Sequence, residues 1–127
     1  MISEIVMEQK DFEVVFHVDH DKLKESDLHL INQFFSGDER RLKIYDNNVL
    51  YAVLSLIASV VLYQSANSIS NSVDGMIKSF DWDYPGGGQE GLPKIDGTHG
   101  IKLYDFDVVE FDSDDFFVQE RETSRAI

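Results

Sequence analysis

The acidic residues near the C-terminus are the part of this sequence whose types and spacing most plainly suggest a function. Residues 105–120 contain seven acids and no Lys or Arg. We predict that they form a partner-binding surface made of Asp105, Asp107, Glu110, Asp112, Asp114, Asp115 and Glu120. Alternate positions of a strand lie about 6.6 Å apart, a spacing on the scale of successive phosphates in a nucleic-acid strand. The pattern therefore favours a surface that binds a basic protein in place of nucleic acid.

The charge of the whole chain limits this interpretation. The 127 residues include 24 acids and 11 bases, and the formal net charge is −13. A compact chain of this length is about 35 Å across, and duplex DNA carries about 20 charges over that distance. Mimicry of DNA therefore requires the acids to gather on one side. The alternative is a solvated acidic face that keeps a small protein soluble. The same excess argues against direct binding to nucleic acid or to anionic membranes.

A group of histidines and aspartates suggests a second kind of site. Its members are His17, Asp19, His20 and Asp21. Imidazole and carboxylate groups are ligands for zinc or iron, and the alternation of a strand would place three of the four on one face. Polar residues are also common where a strand faces solvent. A metal-binding protein or enzyme therefore stays open as an alternative, although we assign no metal ligand and no cofactor.

Other candidate catalytic and ligand-binding motifs do not match the residues or secondary structure that such motifs require around them. The glycines at 86–88 precede a strand rather than a helix, and Lys94 follows Pro93, which does not fit a phosphate-binding loop. The C-terminal aspartates do not fit a calcium loop, because positions needed for ligands hold Val109 and Phe116. There is no cysteine and no serine-nucleophile motif. Nothing in the sequence argues for an enzyme, and the question stays open.

Strands at both ends of the chain must position these residues. Residues 12–18 alternate between apolar and polar types, which is typical of a half-buried strand. Residues 2–7 are expected to pair with them through a turn at 8–11. A second hairpin is predicted from strands over residues 101–111 and 116–120 and a turn at 112–115.

Three helices are expected between the hairpins. The first runs from Ser26 or Asp27 to Phe35, and the polar stretch after it is a connection or a short helix that reaches Tyr45. The second extends from the polar cluster at 46–48 to Ser65. Its apolar run over residues 49–63 is shorter than the roughly 20 residues of a membrane span, so we expect a buried central helix.

The third helix and the loop after it complete the pattern. An apolar stripe at helical spacing is formed by Ile69, Val73, Met76, Ile77 and Phe80. Residues 84–100 hold six of the eight glycines and both prolines, so they form a long loop. The order of strands, helices and strands predicts one α+β domain over residues 1–127. It has an antiparallel sheet of about four strands, an N-terminal plus a C-terminal hairpin, packed on one face by about three helices.

Three stretches resemble a known family. Residues 12–20 (FEVVFHVDH), 31–37 (INQFFSG) and 91–101 (GLPKIDGTHGI) resemble a family of small acidic phage and prophage proteins known as a domain of unknown function. The resemblance assigns no catalytic residue. It implies a protein that acts inside a bacterial cell, and the N-terminus, which lacks the pattern of a signal peptide, agrees with a cytoplasmic location.

The resemblance also suggests a mode of action by analogy of class. Many small acidic phage proteins block host defence enzymes, including CRISPR effectors and restriction nucleases, by presenting negative charge where nucleic acid docks. Our first hypothesis is therefore a phage-related interaction protein that binds and inhibits or modulates a basic, nucleic-acid-handling bacterial protein. The alternatives are the metal protein described above and a structural or assembly protein that self-associates, for example as a homodimer. An aromatic cluster at residues 80–84 would serve that last role.

Overall fold

A β-hairpin opens the fold. The computed structural model describes residues 1–67, 69–110, 114 and 116–121. Strands β1 (Ile2–Gln9) and β2 (Phe12–Asp19) pair antiparallel along their full length. Lys10 and Asp11 form the two-residue turn between them, and Lys10 takes the left-handed φ of 48°. The predicted N-terminal hairpin is confirmed, with a turn tighter than expected.

The predicted second hairpin is wrong. Strand β3 (Ile101–Phe106) pairs antiparallel with β2, giving a three-stranded sheet of order β1-β2-β3 in the described part of the chain. The chain leaves the sheet after Phe106, and residues 116–120 form no strand. The reason is the apolar run itself. Phe116, Phe117 and Val118 are consecutive and cannot alternate, and they are 72%, 97% and 92% exposed. The predicted turn at 112–115 lies, apart from Asp114, outside the described residues.

Among the described residues, four helices lie on one side of the sheet. Their bounds are α1 (Glu25–Phe34), α2 (Asp38–Ile44), α3 (Val49–Ala66) and α4 (Val73–Ser79), and a short 3₁₀ turn (His20–Lys22) precedes them. The polar stretch after α1 thus forms a helix, one of the two outcomes expected. Side chains cap α3 and α4, since Asn48 accepts a hydrogen bond from the Tyr51 amide and Ser72 accepts one from the Gly75 amide. The prediction of α+β topology is confirmed.

The core lies between the helices and the inner face of the sheet. The buried residues of that face are Val14, Phe16 and Val18 of β2 and Ile101, Leu103 and Phe106 of β3. Met76 and Phe80 of the predicted stripe are fully buried beside them, whereas Ile69 precedes α4 and is exposed. Helix α3 crosses the centre of the core, as predicted. By length and composition alone it is also long and apolar enough to span a membrane.

A β-bulge interrupts the pairing of β3 with the central strand β2. Phe16 pairs with Leu103 and Val15 with Asp105, so Tyr104 is an extra residue on β3. Tyr104 and Asp105 are consequently both exposed. The ring of Tyr104 stacks on His17 with centroids 4.0 Å apart. The bulge thus brings one more acid onto the face of the sheet that the helices leave uncovered.

Candidate acidic interaction surface

The uncovered face of the sheet presents rows of side chains across the strands. Near the free ends of the hairpin, Glu4 lies opposite His17, which lies opposite Lys102. The carboxylate of Glu4 contacts the imidazole, with Oε1 2.9 Å from Nε2. This end of the open face therefore carries charges of both signs.

Acids dominate the other end of the open face, near the hairpin turn. Glu8 and Glu13 are direct cross-strand partners. Asp107 is attached to Glu13 by two hydrogen bonds: the Asp107 amide donates to the Glu13 carbonyl at 2.9 Å, and the Glu13 amide donates to Asp107 Oδ2 at 2.8 Å. Asp105 lies opposite Val15, the next outward-facing position of β2. We call Glu8, Glu13, Asp105 and Asp107 the acidic row.

The acidic row lacks cationic partners within the described chain. In the described part of the chain, none of its four carboxylates takes part in a salt bridge. Like charges directly opposite each other in a sheet destabilise it by a few tenths of a kcal/mol, up to about 1 kcal/mol. The pairing of Glu8 with Glu13 is therefore expected to cost stability.

The structure brings together only some of the acids predicted to bind a partner. Asp105 and Asp107 belong to the acidic row. Glu110 is exposed just beyond Val109, whose amide donates to Ser65 Oγ at 2.9 Å and holds this segment against the end of α3. Glu120 is exposed in a stretch without regular secondary structure. Asp114 is exposed, whereas Asp112 and Asp115 lie outside the described residues.

Sequence reasoning missed two members of the row, Glu8 and Glu13. The signal was available, because a two-residue turn at Lys10 and Asp11 places Glu8 opposite Glu13. Placing the turn over four residues hid this register. Asp107 then joins Glu13 through pairing of residues that are 94 positions apart, which local patterns do not reveal.

The four residues of the proposed metal cluster have separate partners. His17 contacts Glu4 and Tyr104, and His20 Nε2 lies 2.9 Å from Ser3 Oγ. Asp19 accepts a hydrogen bond from the Asp21 amide, and Asp21 forms an ion pair with the N-terminal amine at 3.0 Å. The contact between Asp19 and Asp21 is local to the 3₁₀ turn, whereas the ion pair joins Asp21 to the start of the chain. Over residues 1–67, 69–110, 114 and 116–121, no group of three His, Asp or Glu side chains could hold a metal ion.

The aromatic cluster considered for self-association is divided between core and surface. Phe80 is fully buried. Trp82 is exposed at its outer side but covers Gly88, where a Cβ would meet the indole ring at 2.2 Å. The Tyr84 ring lies 5.2 Å from Lys78 Nζ. This cluster mainly closes the glycine-rich loop against α4.

Charged side chains also brace the loop between α4 and β3. Lys94 Nζ is 2.9 Å from Asp83 Oδ2 and 3.4 Å from Asp81 Oδ1. The hydrogen bond to Asp83 raises the pKa of Lys94 above its usual value. The hydroxyl of Thr98 donates to Asp96 and lowers the pKa of that carboxyl. These contacts are local and explain the order of the loop rather than a reaction.

The described residues thus define a small α+β fold, in which helices cover one face of a three-stranded sheet and the other face is acidic at one end. The chain belongs to a family described as a protein of unknown function (DUF2528), whose model matches residues 13–118. It is similar to the lambda prophage-derived protein ea10 of Escherichia coli O6:H1 (strain CFT073) and to protein ea10 of Escherichia phage lambda. Each is 40% identical over 107 residues, which cover 84% of this chain and 85% of the relative.

These comparisons confirm the resemblance to a phage and prophage family of unknown function. No solved structure matches the chain. The two relatives are phage and prophage proteins, and none of these comparisons names a biochemical activity. A more specific proposal for the function must therefore be argued from the residues on the surface of the protein.

Proposed function

We propose that this phage-related protein is an interaction protein that binds a basic, nucleic-acid-handling bacterial protein in the host cytoplasm and inhibits or modulates it. The observation that carries the proposal is the acidic row, in which Glu8 and Glu13 lie opposite each other with no ion pair in the described chain. The net charge of −13 extends the same sign over the whole molecule. A partner surface rich in Lys and Arg would be attracted over a long range and would relieve the local repulsion.

The spacing of the row favours a partner surface that normally binds nucleic acid. Neighbouring strands lie about 4.8 Å apart and alternate residues about 6.6 Å apart. Carboxylates on adjacent strands thus form a two-dimensional array with separations close to those of a phosphate backbone. Glu110 and Glu120 add exposed negative charge in the segment after β3. An inhibitor of a CRISPR effector or a restriction nuclease would work in this way, by occupying the site where DNA or RNA docks.

The proposal is tested by affinity capture from a bacterial host lysate at graded salt concentrations. We expect a nucleic-acid-handling protein to be retained at low salt and released as the salt concentration rises, because screening weakens contacts between exposed charges. Added duplex DNA should compete with the capture. Retention of no nucleic-acid-handling protein at any salt concentration would contradict the proposal.

A further inference from the structure

The two edges of the sheet differ in what covers them. At the β3 edge, the loop before the strand supplies hydrogen bonds: the Leu103 amide donates to the Ile95 carbonyl at 3.0 Å, and the Gly97 amide donates to the Ile101 carbonyl at 3.0 Å. At the β1 edge, no other backbone segment of the described chain pairs with the strand. β1 is eight residues long and contains no proline or bulge, the usual devices that protect an edge.

The phase of the hairpin ladder fixes which groups of β1 point outward. The His20 amide donates to the Met1 carbonyl at 3.0 Å, so the odd-numbered residues of β1 bond to β2. The backbone N–H and C=O groups of the alternate residues Glu4, Val6 and Glu8 therefore point away from the sheet. Their side chains lie on the open face. The unsatisfied groups form a regular template for another strand.

A cleft lies beside this edge. It has a volume of about 450 Å³ and is lined by residues 4–8 together with Tyr45 and Tyr51. Ile5 and Met7 of β1 point toward the helix side and are only partly covered by the core. The cleft thus combines apolar side chains of β1 with the acids Glu4 and Glu8 and with two tyrosines, a residue type that often anchors protein interfaces.

We infer that the β1 edge binds an extended basic segment of the partner, which adds a fourth strand to the sheet. This inference rests on the proposed function, because it names the part of a basic partner that makes the contact. An antiparallel strand bonded at Glu4, Val6 and Glu8 places the residues opposite those three on the open face. The two residues between them face the cleft. The segment that fits is basic, apolar, neutral, apolar, basic, with its two cations about 13 Å apart opposite Glu4 and Glu8.

Charge decides against a second copy of this chain as the occupant. Pairing of two β1 strands about Val6 would place Glu4 of each opposite Glu8 of the other. Like charges opposite each other destabilise a sheet, and each molecule carries −13 overall. A basic strand converts the same positions into cross-strand attractions. The edge is therefore suited to addition of a foreign strand rather than to self-assembly.

The test uses the full-length protein and a synthetic peptide, acetyl-Lys-Val-Thr-Val-Lys-amide, with acetyl-Glu-Val-Thr-Val-Glu-amide as the control. NMR titration should show binding of the lysine peptide alone. The largest amide shifts and new protection from hydrogen exchange should fall on Glu4, Val6 and Glu8, and not on Ile5 or Met7. This alternation is specific to strand addition. Equal binding of the glutamate peptide, absence of binding by the lysine peptide, or concentration-dependent protection without peptide would overturn the inference.

A variant separates this inference from the proposed function. Val6→Pro removes one outward-pointing N–H and leaves the β2 ladder intact, so it should weaken peptide binding about tenfold. Val6→Thr, which keeps the N–H, should bind as the wild type does. If the peptide instead shifts Glu13 and Asp105 and leaves the edge amides unchanged, the inference fails and the acidic row stands. If Val6→Pro does not fold, the amide pattern of the wild type decides alone.

Discussion

Glu8 and Glu13 lie directly opposite each other on the open face of the sheet, and Asp107 is fastened to Glu13 by two hydrogen bonds. Three acidic residues are thus neighbours at the hairpin-turn end of the sheet. Packing does not require acids here, because the face is exposed. This arrangement links the stability of the fold to the proposed binding surface, since neutralising Glu8 or Glu13 should stabilise the fold and weaken the binding of a basic partner.

Neutralising Glu8 should stabilise the fold. Glu8→Gln removes the repulsion with Glu13 and should raise the free energy of unfolding by about 0.2–1 kcal/mol at low salt. The gain should shrink as salt screens the charges. Urea unfolding of the wild type and the variant at two salt concentrations measures it. Glu90→Gln, an exposed acid in the glycine-rich loop, is the matched control and should change little. A Glu8→Gln variant that is less stable than the wild type would contradict a destabilising repulsion between Glu8 and Glu13.

Asp107 should hold the segment after β3 to the sheet. Asp107→Ala removes the acceptor of the Glu13 amide and should cost about 0.5–1.5 kcal/mol of unfolding free energy. Hydrogen exchange at the Glu13 amide should become faster. Asp107→Asn keeps an acceptor oxygen and should restore most of the protection. Equal exchange rates in the alanine variant and the wild type would show that the side chain does not hold this amide.

The loop should become less stable at acid pH through Asp96. The hydroxyl of Thr98 lowers the pKa of Asp96 below its ordinary value of 3.8. A lowered folded-state pKa stabilises the protein above the unfolded-state pKa, and this contribution is lost as the pH falls through the folded-state pKa. Thr98→Val should therefore lose up to about 1 kcal/mol at neutral pH. The difference from the wild type should fade below about pH 3.8, which thermal melts across a pH series would show. A difference that persists unchanged at pH 2 would contradict the assignment.

A matched pair of glycines tests the packing of the loop on α1. A Cβ on Gly91 would lie 2.2 Å from the ring of Phe34, whereas a Cβ on Gly86 meets no atom of the described chain within 4 Å. Both glycines have φ near +80°, so the backbone cost of alanine is similar at the two positions. Gly91→Ala should therefore be less stable than Gly86→Ala by about 1–3 kcal/mol. Equal melting temperatures of the two variants would show that the Phe34 side chain can move away from the new methyl group without a loss of stability.

Local patterns predicted most of the fold. The alternation over residues 12–18 gave the central strand, and the apolar run over 49–63 gave the core helix. These predictions succeed because an element buried on one face shows alternating apolar and polar residues, and an element buried on all sides is apolar throughout. The acids after position 110 misled the prediction, because turn-forming residues followed by apolar ones look like a hairpin. The exposed run at 116–118 has no buried face to form one.

The site was harder to predict than the fold. Asp105 and Asp107 were identified from their own segment, but Glu8 and Glu13 enter through strand pairing. The bulge at Tyr104, which keeps Asp105 on the open face, depends on contacts between distant segments. The histidines and aspartates near position 20 show the reverse case, because residues close in sequence have different partners in space. Proximity along the chain is therefore a poor guide to a site that is assembled across strands.

Charge reversal within the acidic row tests the proposed function most directly. The test variant is Glu8→Lys, Glu13→Lys and Asp105→Lys, and the control is Asp27→Lys, Glu39→Lys and Glu90→Lys, which changes exposed acids on α1, α2 and the loop. Each set raises the formal net charge by six, from −13 to −7. Circular dichroism and thermal melting should show that both variants remain folded, because each reversed side chain is exposed.

The measurement is the affinity of the captured nucleic-acid-handling partner for the two variants and for the wild type at low salt. We expect the control to bind within a few-fold of the wild type and the acidic-row variant to lose binding, because Lys in the row would repel a basic surface. An equal loss in both variants would mean that net charge acts without a defined site. Undiminished binding by the acidic-row variant would contradict the proposal that this row is where the partner binds.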